Sequence, residues 1–82
     1  MKNIDMDDIK LLTELIDGKH NTMLTGKTVK DFEADFQINA VHRRLRNLES
    51  LGYVRRGYPI KRAVTYFITE DGIKYYKEAV EL

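Results

Sequence analysis

Apolar residues recur along this chain at two different periods, and the changes between them mark out the elements. From Met6 to Asp17, the residues Met6, Ile9, Leu12 and Ile16 repeat at helical spacing, and Leu11 and Leu15 lie beside that stripe and widen it. Asp5 is placed to cap this first helix (6–17), Asp7 and Asp8 suit the positive end of its dipole, and Gly18 stops it. Residues 18–27 read as a loop in which Met23-Leu24 is the one apolar pair, a candidate short strand. A second helix is expected over 28–34, because Thr28-x-x-Asp31 approximates a capping box and Val29, Phe32 and Phe36 make a buried face. A turn around Asp35 leads to a third helix, 38–51, in which Ile38, Val41, Leu45 and Leu48 share a narrow arc and Gly52 ends the run.

The period then shortens to two. Tyr53–Arg56 and Ala63–Thr69 have strand character, and in the second Val64, Tyr66 and Ile68 point one way while Thr65 and Phe67 point the other. Gly57-Tyr58-Pro59 between them is turn chemistry, and Pro59 cannot donate to a ladder. A fourth helix, 70–81, follows the N-cap Thr69, with Glu70 and Asp71 in its first turn. Ile73, Tyr76 and Val80 form its main stripe, and Tyr75, Ala79 and Leu82 a weaker one. The pattern predicts a mainly α fold with a small β-hairpin (α+β), laid out as a winged helix-turn-helix in the order helix, helix, helix, hairpin wing (53–69), helix. Eighty-two residues are expected to make one domain, 1–82.

Charge adds direction to this picture. Between Gln37 and Arg62 lie seven basic residues, Arg43, Arg44, Arg46, Arg55, Arg56, Lys61 and Arg62, against the single acid Glu49. Residues 1–36 carry eight acids and five bases, and residues 63–82 four acids and two bases, so a net charge of only +1 conceals a dipole. Positive charge gathered on one segment is what a surface that meets phosphate requires. A third helix that buries Ile38, Val41, Leu45 and Leu48 turns Asn39, Arg43, Arg46, Asn47 and Ser50 outward, with Ala40 and His42 on its flanks. The Arg fork matches guanine O6 and N7, and the Asn amide matches adenine N6 and N7. Arg55, Arg56, Lys61 and Arg62 cluster on and beside the hairpin tip, with Tyr58 as the one tyrosine placed to touch a partner.

The run Val41-x3-Leu45-x2-Leu48-Glu49-Ser50-Leu51-Gly52-Tyr53-Val54 resembles the recognition-helix signature of MarR and PadR type transcriptional regulators. Arg62-Ala63-Val64-Thr65-Tyr66-Phe67-Ile68-Thr69-Glu70-Asp71-Gly72 resembles their second wing strand and the helix start behind it; together the two cover about residues 28–74. The resemblance implies a major-groove helix read from Gln37, Asn39, Ala40 and Arg43, and a wing whose arginine is Arg62. The chain departs from the pattern where Ile60-Lys61 stands in place of the Asp before that arginine, and where Asp35 takes a turn position often held by Gly. It also lacks the long dimerisation helices of those regulators.

Other chemistries find little support. There is no cysteine, so no disulfide or thiolate metal site, and His20 has no second His or Cys nearby in sequence to make it a ligand. No nucleophile and base pairing or coupled carboxylates suggest catalysis. Gly26-Lys27-Thr28 lacks the earlier glycine of a phosphate-binding loop. No apolar run reaches membrane-spanning length and the N-terminus has no signal-peptide core, so a cytoplasmic setting is expected, with no membrane, cofactor, metal or small-molecule ligand inferred.

The expectation is therefore a small transcriptional regulator that binds double-stranded DNA in a sequence-specific way. Its recognition helix supplies Gln37, Asn39, Ala40, His42, Arg43, Arg46 and Asn47, and its wing Arg55, Arg56, Tyr58, Lys61 and Arg62. A homodimer is expected through the surplus apolar positions Leu11, Leu15, Tyr75, Ala79 and Leu82, with two reading helices roughly 34 Å apart. The competing expectation is a winged-helix protein-interaction module within a larger assembly, since fold alone does not fix function.

Overall fold

The structure, a computed structural model, describes residues 4–32 and 37–80. Helix α1 spans Met6–Asp17 and opens with a capping box made from two aspartates. The Asp8 N–H donates to Asp5 Oδ1 at 3.0 Å, and the Asp5 N–H donates to Asp8 Oδ2 at 3.1 Å. At the other end the His20 N–H reaches the Leu15 carbonyl at 2.8 Å and the Lys19 N–H reaches that of Ile16 at 3.1 Å, a Schellman closure. The left-handed residue in that closure is Lys19 (φ 57°), whereas Gly18 sits at φ −86°.

Lys27–Thr28 form strand β1, and Val29–Asp31 a single 3₁₀ turn, after which Phe32 is extended. This corrects the expected helix over 28–34: Thr28 is a strand residue, and its hydroxyl donates to Asp31 Oδ2 at 2.7 Å rather than capping a backbone N–H. Val29 and Phe32 are nonetheless buried as their apolar character demands. The turn at Asp35 and the side chain of Phe36 lie outside the described residues. Helix α2 spans Ile38–Ser50, strand β2 Val54–Arg56, strand β3 Thr65–Ile68 and helix α3 Glu70–Val80.

The hairpin is part of a three-stranded antiparallel sheet in the order β1-β3-β2. Thr28 pairs with Thr65 and Lys27 with Tyr66 on one side of β3, and Val54 with Ile68, Arg55 with Phe67 and Arg56 with Tyr66 on the other. β3 is therefore central, and the expected alternation fails at its start: Thr65 and Tyr66 are both buried, while Val64, which precedes the strand, is 41% exposed. Thr65 is covered from its own side, where its hydroxyl donates to the Tyr58 carbonyl at 2.8 Å.

The core gathers Leu11, Leu12 and Leu15 of α1, Val41, Leu45 and Leu48 of α2, and Val54, Tyr66 and Ile68 of the sheet, closed by Val29 and Phe32. α1 lies against α2, α3 and β3 together, so it needs a broad apolar face. Leu11 and Leu15 are fully buried within the chain, which corrects their assignment to a dimer surface. Met6 and Ile38, expected inside, are 71% and 52% exposed because each sits on the opening turn of its helix, beyond the edge of the core. On α3, Thr69 caps the helix by accepting the Gly72 N–H at 3.0 Å and donates its own proton to the Gly52 carbonyl at 2.7 Å. Gly72 is required by close approach, since a Cβ there would collide with the Tyr53 carbonyl. Tyr75, a third residue expected at a dimer surface, stacks on Tyr53 with ring centroids 4.7 Å apart, and burial pushes its phenol pKa up. Ala79 is exposed, and Leu82 lies outside the described residues.

Candidate nucleic-acid interface

Helix α2 divides cleanly. Val41, Leu45 and Leu48 face the core, and Asn39, Arg43, Arg46 and Ser50 are exposed on the opposite side, with Ala40, His42 and Asn47 half-buried between. Gln37 begins the helix with extended backbone, and its amide caps nothing. Among the described residues no hydrogen bond or ion pair holds the side chains of Gln37, Asn39, His42, Arg43, Arg46 or Asn47. Exposed polar groups at the N-terminal half of a helix, with the positive end of the dipole behind them, suit an anionic partner. Ile38 adds an exposed apolar contact at the same end, one the periodicity had assigned to the core.

Arg44 does not belong to this surface. Its guanidinium turns the other way, onto the start of α1, and donates to Asp5 at 2.8 Å, Asp7 at 3.2 Å and Asp8 at 3.3 Å. The Arg44 hydrogen bond, ahead of the Asp8 N–H, holds the Asp5 carboxyl below the usual aspartate range, and the same contact raises the arginine. Asp8 is 3% exposed, so the pair of helices is joined by a charge contact that closes over a buried acid. The sequence places Arg44 among the basic residues, but only the helical wheel and the distant aspartates decide its direction.

The hairpin reverses later than turn chemistry suggests. Gly57 still pairs with β3, its N–H donating to the Thr65 carbonyl at 3.1 Å, and the chain turns at Lys61-Arg62 instead of Gly57-Tyr58-Pro59. Ile60 and Ala63 exchange both backbone hydrogen bonds, at 3.0 and 2.8 Å, across that two-residue loop. Lys61 (φ 47°) and Arg62 (φ 70°) both hold left-handed backbone, the geometry of a type I′ turn. Such turns favour Asn-Gly strongly, because a Cβ in left-handed backbone crowds the following carbonyl oxygen, which glycine avoids and asparagine tolerates best. Here both positions carry exposed cations. Tyr58 is 56% exposed near the base of the loop, held by its N–H to the Met23 carbonyl at 2.9 Å.

Helix and hairpin meet at one open cleft of about 330 Å³, lined by His42 and Arg46 from α2 and by Arg56, Val64 and Tyr66 from the hairpin. Arg56 is steadied by Glu49 at 3.2 Å and lies over the Tyr66 ring, 6.0 Å from its centroid. Arg55 is exposed on β2. Among the described residues no group of three metal-ligating side chains lies together, and no helix is long and apolar enough to cross a membrane.

No protein-family model matches the chain, and no curated protein matches it. Solved structures do. TubR from Bacillus megaterium pBM400 superposes with a TM-score of 0.85 at 15% sequence identity, over 98% of this chain and 90% of that one. The solution structure of the DNA-binding TubR fragment from Clostridium botulinum gives 0.75 at 22% identity, over 96% of this chain and all of the other (100%). At these identities what is shared is the fold, a winged helix-turn-helix type of α+β architecture, and neither likeness singles out the MarR or PadR branch.

Proposed function

We propose that this chain binds double-stranded DNA in a sequence-specific way and acts as a small transcriptional regulator. The observation that carries this reading is the hairpin tip, where Lys61 and Arg62 occupy two left-handed positions that Asn-Gly would fill with less strain. A fold that keeps two cations in such backbone has a use for their side chains. The uncommitted arc of α2 and the cleft it shares with the hairpin support the same reading, as does the likeness to a fragment described as DNA-binding.

In this arrangement α2 enters the major groove. Gln37, Asn39, Arg43 and Arg46 reach base edges, with Ala40, His42 and Asn47 at the margins and Ile38 offering apolar contact to a thymine methyl. Arg55, Arg56, Tyr58, Lys61 and Arg62 follow the flanking backbone or minor groove. A two-fold homodimer completes the proposal, built on α3 around exposed Ala79 and Val80 rather than on α1. A light-scattering mass of one chain at tens of micromolar would remove the dimer.

Fluorescence anisotropy with duplex DNA across a salt series tests the central claim. Wild type should bind with a steep salt dependence. Arg43→Ala should relax sequence preference, and Arg62→Ala should weaken every duplex alike and reduce the log–log slope by about 0.9. Absence of duplex binding at low salt, or indifference to both changes, would return the chain to the protein-interaction alternative.

A further inference from the structure

Arg56 faces two depressions. On one side it joins His42 and Arg46 in the cleft between α2 and the hairpin. On the other it joins Arg55 and the acids Glu49, Glu70 and Asp71 in a broad open hollow of about 630 Å³. Its Nε lies 3.2 Å from Glu49 Oε2, and among the described residues it makes no ion pair with Glu70 or Asp71. Glu49 is itself out of place by local rules. It is the one acid between Gln37 and Arg62, and it sits in the last turn of α2, where the helix dipole disfavours an anion. Its carboxylate caps nothing there, and the visible role of the side chain is to hold Arg56.

We propose that Glu49 is an internal competitor for the backbone phosphate that Arg56 takes up on a duplex. This rests on the DNA-binding reading above. Carboxylate and phosphodiester oxygens accept from a guanidinium in similar ways, so one can replace the other on the same donors. The ion pair is half exposed, 54% at Arg56 and 33% at Glu49, and pairs of that kind are weak enough to be displaced. The cleft side offers an incoming phosphate the His42 ring, with Val64 and Tyr66 as apolar walls against the deoxyribose, and Arg46 on the same cleft adds positive potential while its own fork is turned to the bases. Binding therefore exchanges carboxylate for phosphate on Arg56, and Glu49 holds affinity down equally for every sequence.

A double-mutant cycle tests this with a mixed-sequence duplex of about two helical turns, read by fluorescence anisotropy at fixed salt, each variant first shown folded by circular dichroism. Glu49→Gln should tighten binding about two- to fivefold, the range of an exposed ion pair. In the Arg56→Gln background the same change should give no gain. A gain of equal size in both backgrounds would mean that Glu49 merely repels DNA at large and would overturn the exchange. Weaker binding by Glu49→Gln would overturn it too, by making Glu49 a support for Arg56. Wild type that binds no duplex at low salt would instead overturn the DNA reading itself.

Discussion

Among the described residues three non-glycines hold left-handed backbone: Lys19, Lys61 and Arg62. Each costs about 1–2 kcal/mol relative to a residue free of Cβ. Lys19 closes α1 one position after the glycine, so the cost there serves no visible contact, whereas Lys61 and Arg62 form the hairpin tip. The two cases predict opposite functional outcomes from the same backbone repair. Lys19→Gly should raise stability in urea by about 1 kcal/mol and leave duplex affinity unchanged. Lys61→Asn with Arg62→Gly should raise stability by about 1–2 kcal/mol and weaken duplex binding at about 0.1 M salt by roughly an order of magnitude or more. A tip variant that is more stable and binds DNA as well as wild type would take the tip out of the interface.

At the scale of elements, the joint between α1 and α2 sets how α2 sits on the body, and it is electrostatic at its solvent edge. Arg44→Met removes the guanidinium from three aspartates at once and leaves Asp8, which is 3% exposed, without its cation. The expected loss is about 1–3 kcal/mol in chemical denaturation. Asp5 gives the joint a pH dependence of known sign. The Arg44 hydrogen bond holds its pKa in the folded chain below the ordinary aspartate range, so its stabilisation is present above the unfolded value and is lost as pH falls through the folded one. Urea midpoints should therefore be level above about pH 5 and decline into acid, and Arg44→Met should flatten that decline. The elements that periodicity could read are those with enough turns to display it: α1, α2 and α3 lie within a residue or so of where the apolar spacing puts them. What it missed depends on distant partners. β1 is two residues long and exists because Lys27-Thr28 pair with Tyr66 and Thr65, nearly forty positions on. The wide face of α1 looks the same in sequence whether a second chain or the chain's own α3 and sheet cover it, and the latter is the case for Leu11 and Leu15. The turn residues Gly57-Tyr58-Pro59 are overruled by the ladder between Gly57 and Thr65, which carries the reversal to Lys61-Arg62.

For the molecule as a whole, the separation of charge survives folding with one deletion. Of seven cations between Gln37 and Arg62, Arg44 is spent on the body, which leaves six for the proposed nucleic-acid surface, one of them shared with Glu49. That count bounds the salt dependence. If every one of the six met a phosphate, a single chain would bind with a log–log slope of about −5, from about −0.9 per contact. Contacts made to bases rather than phosphates, as proposed for Arg43 and Arg46, lower the magnitude further. The slope thus reports stoichiometry as well as charge. A value much steeper than about −5 cannot come from one copy of this surface, and it would require two chains on one duplex, as the homodimer proposes. A value between about −2 and −5 is what one copy supplies. The same series separates Arg44 from its neighbours: Arg44→Gln should leave the slope unchanged, because that side chain already has its anions, while Arg62→Ala should reduce it by about 0.9. An Arg44→Gln slope that falls as far as that of Arg62→Ala would mean the guanidinium leaves the aspartates for DNA, and the division of α2 into an anchoring and a reading side would have to be redrawn.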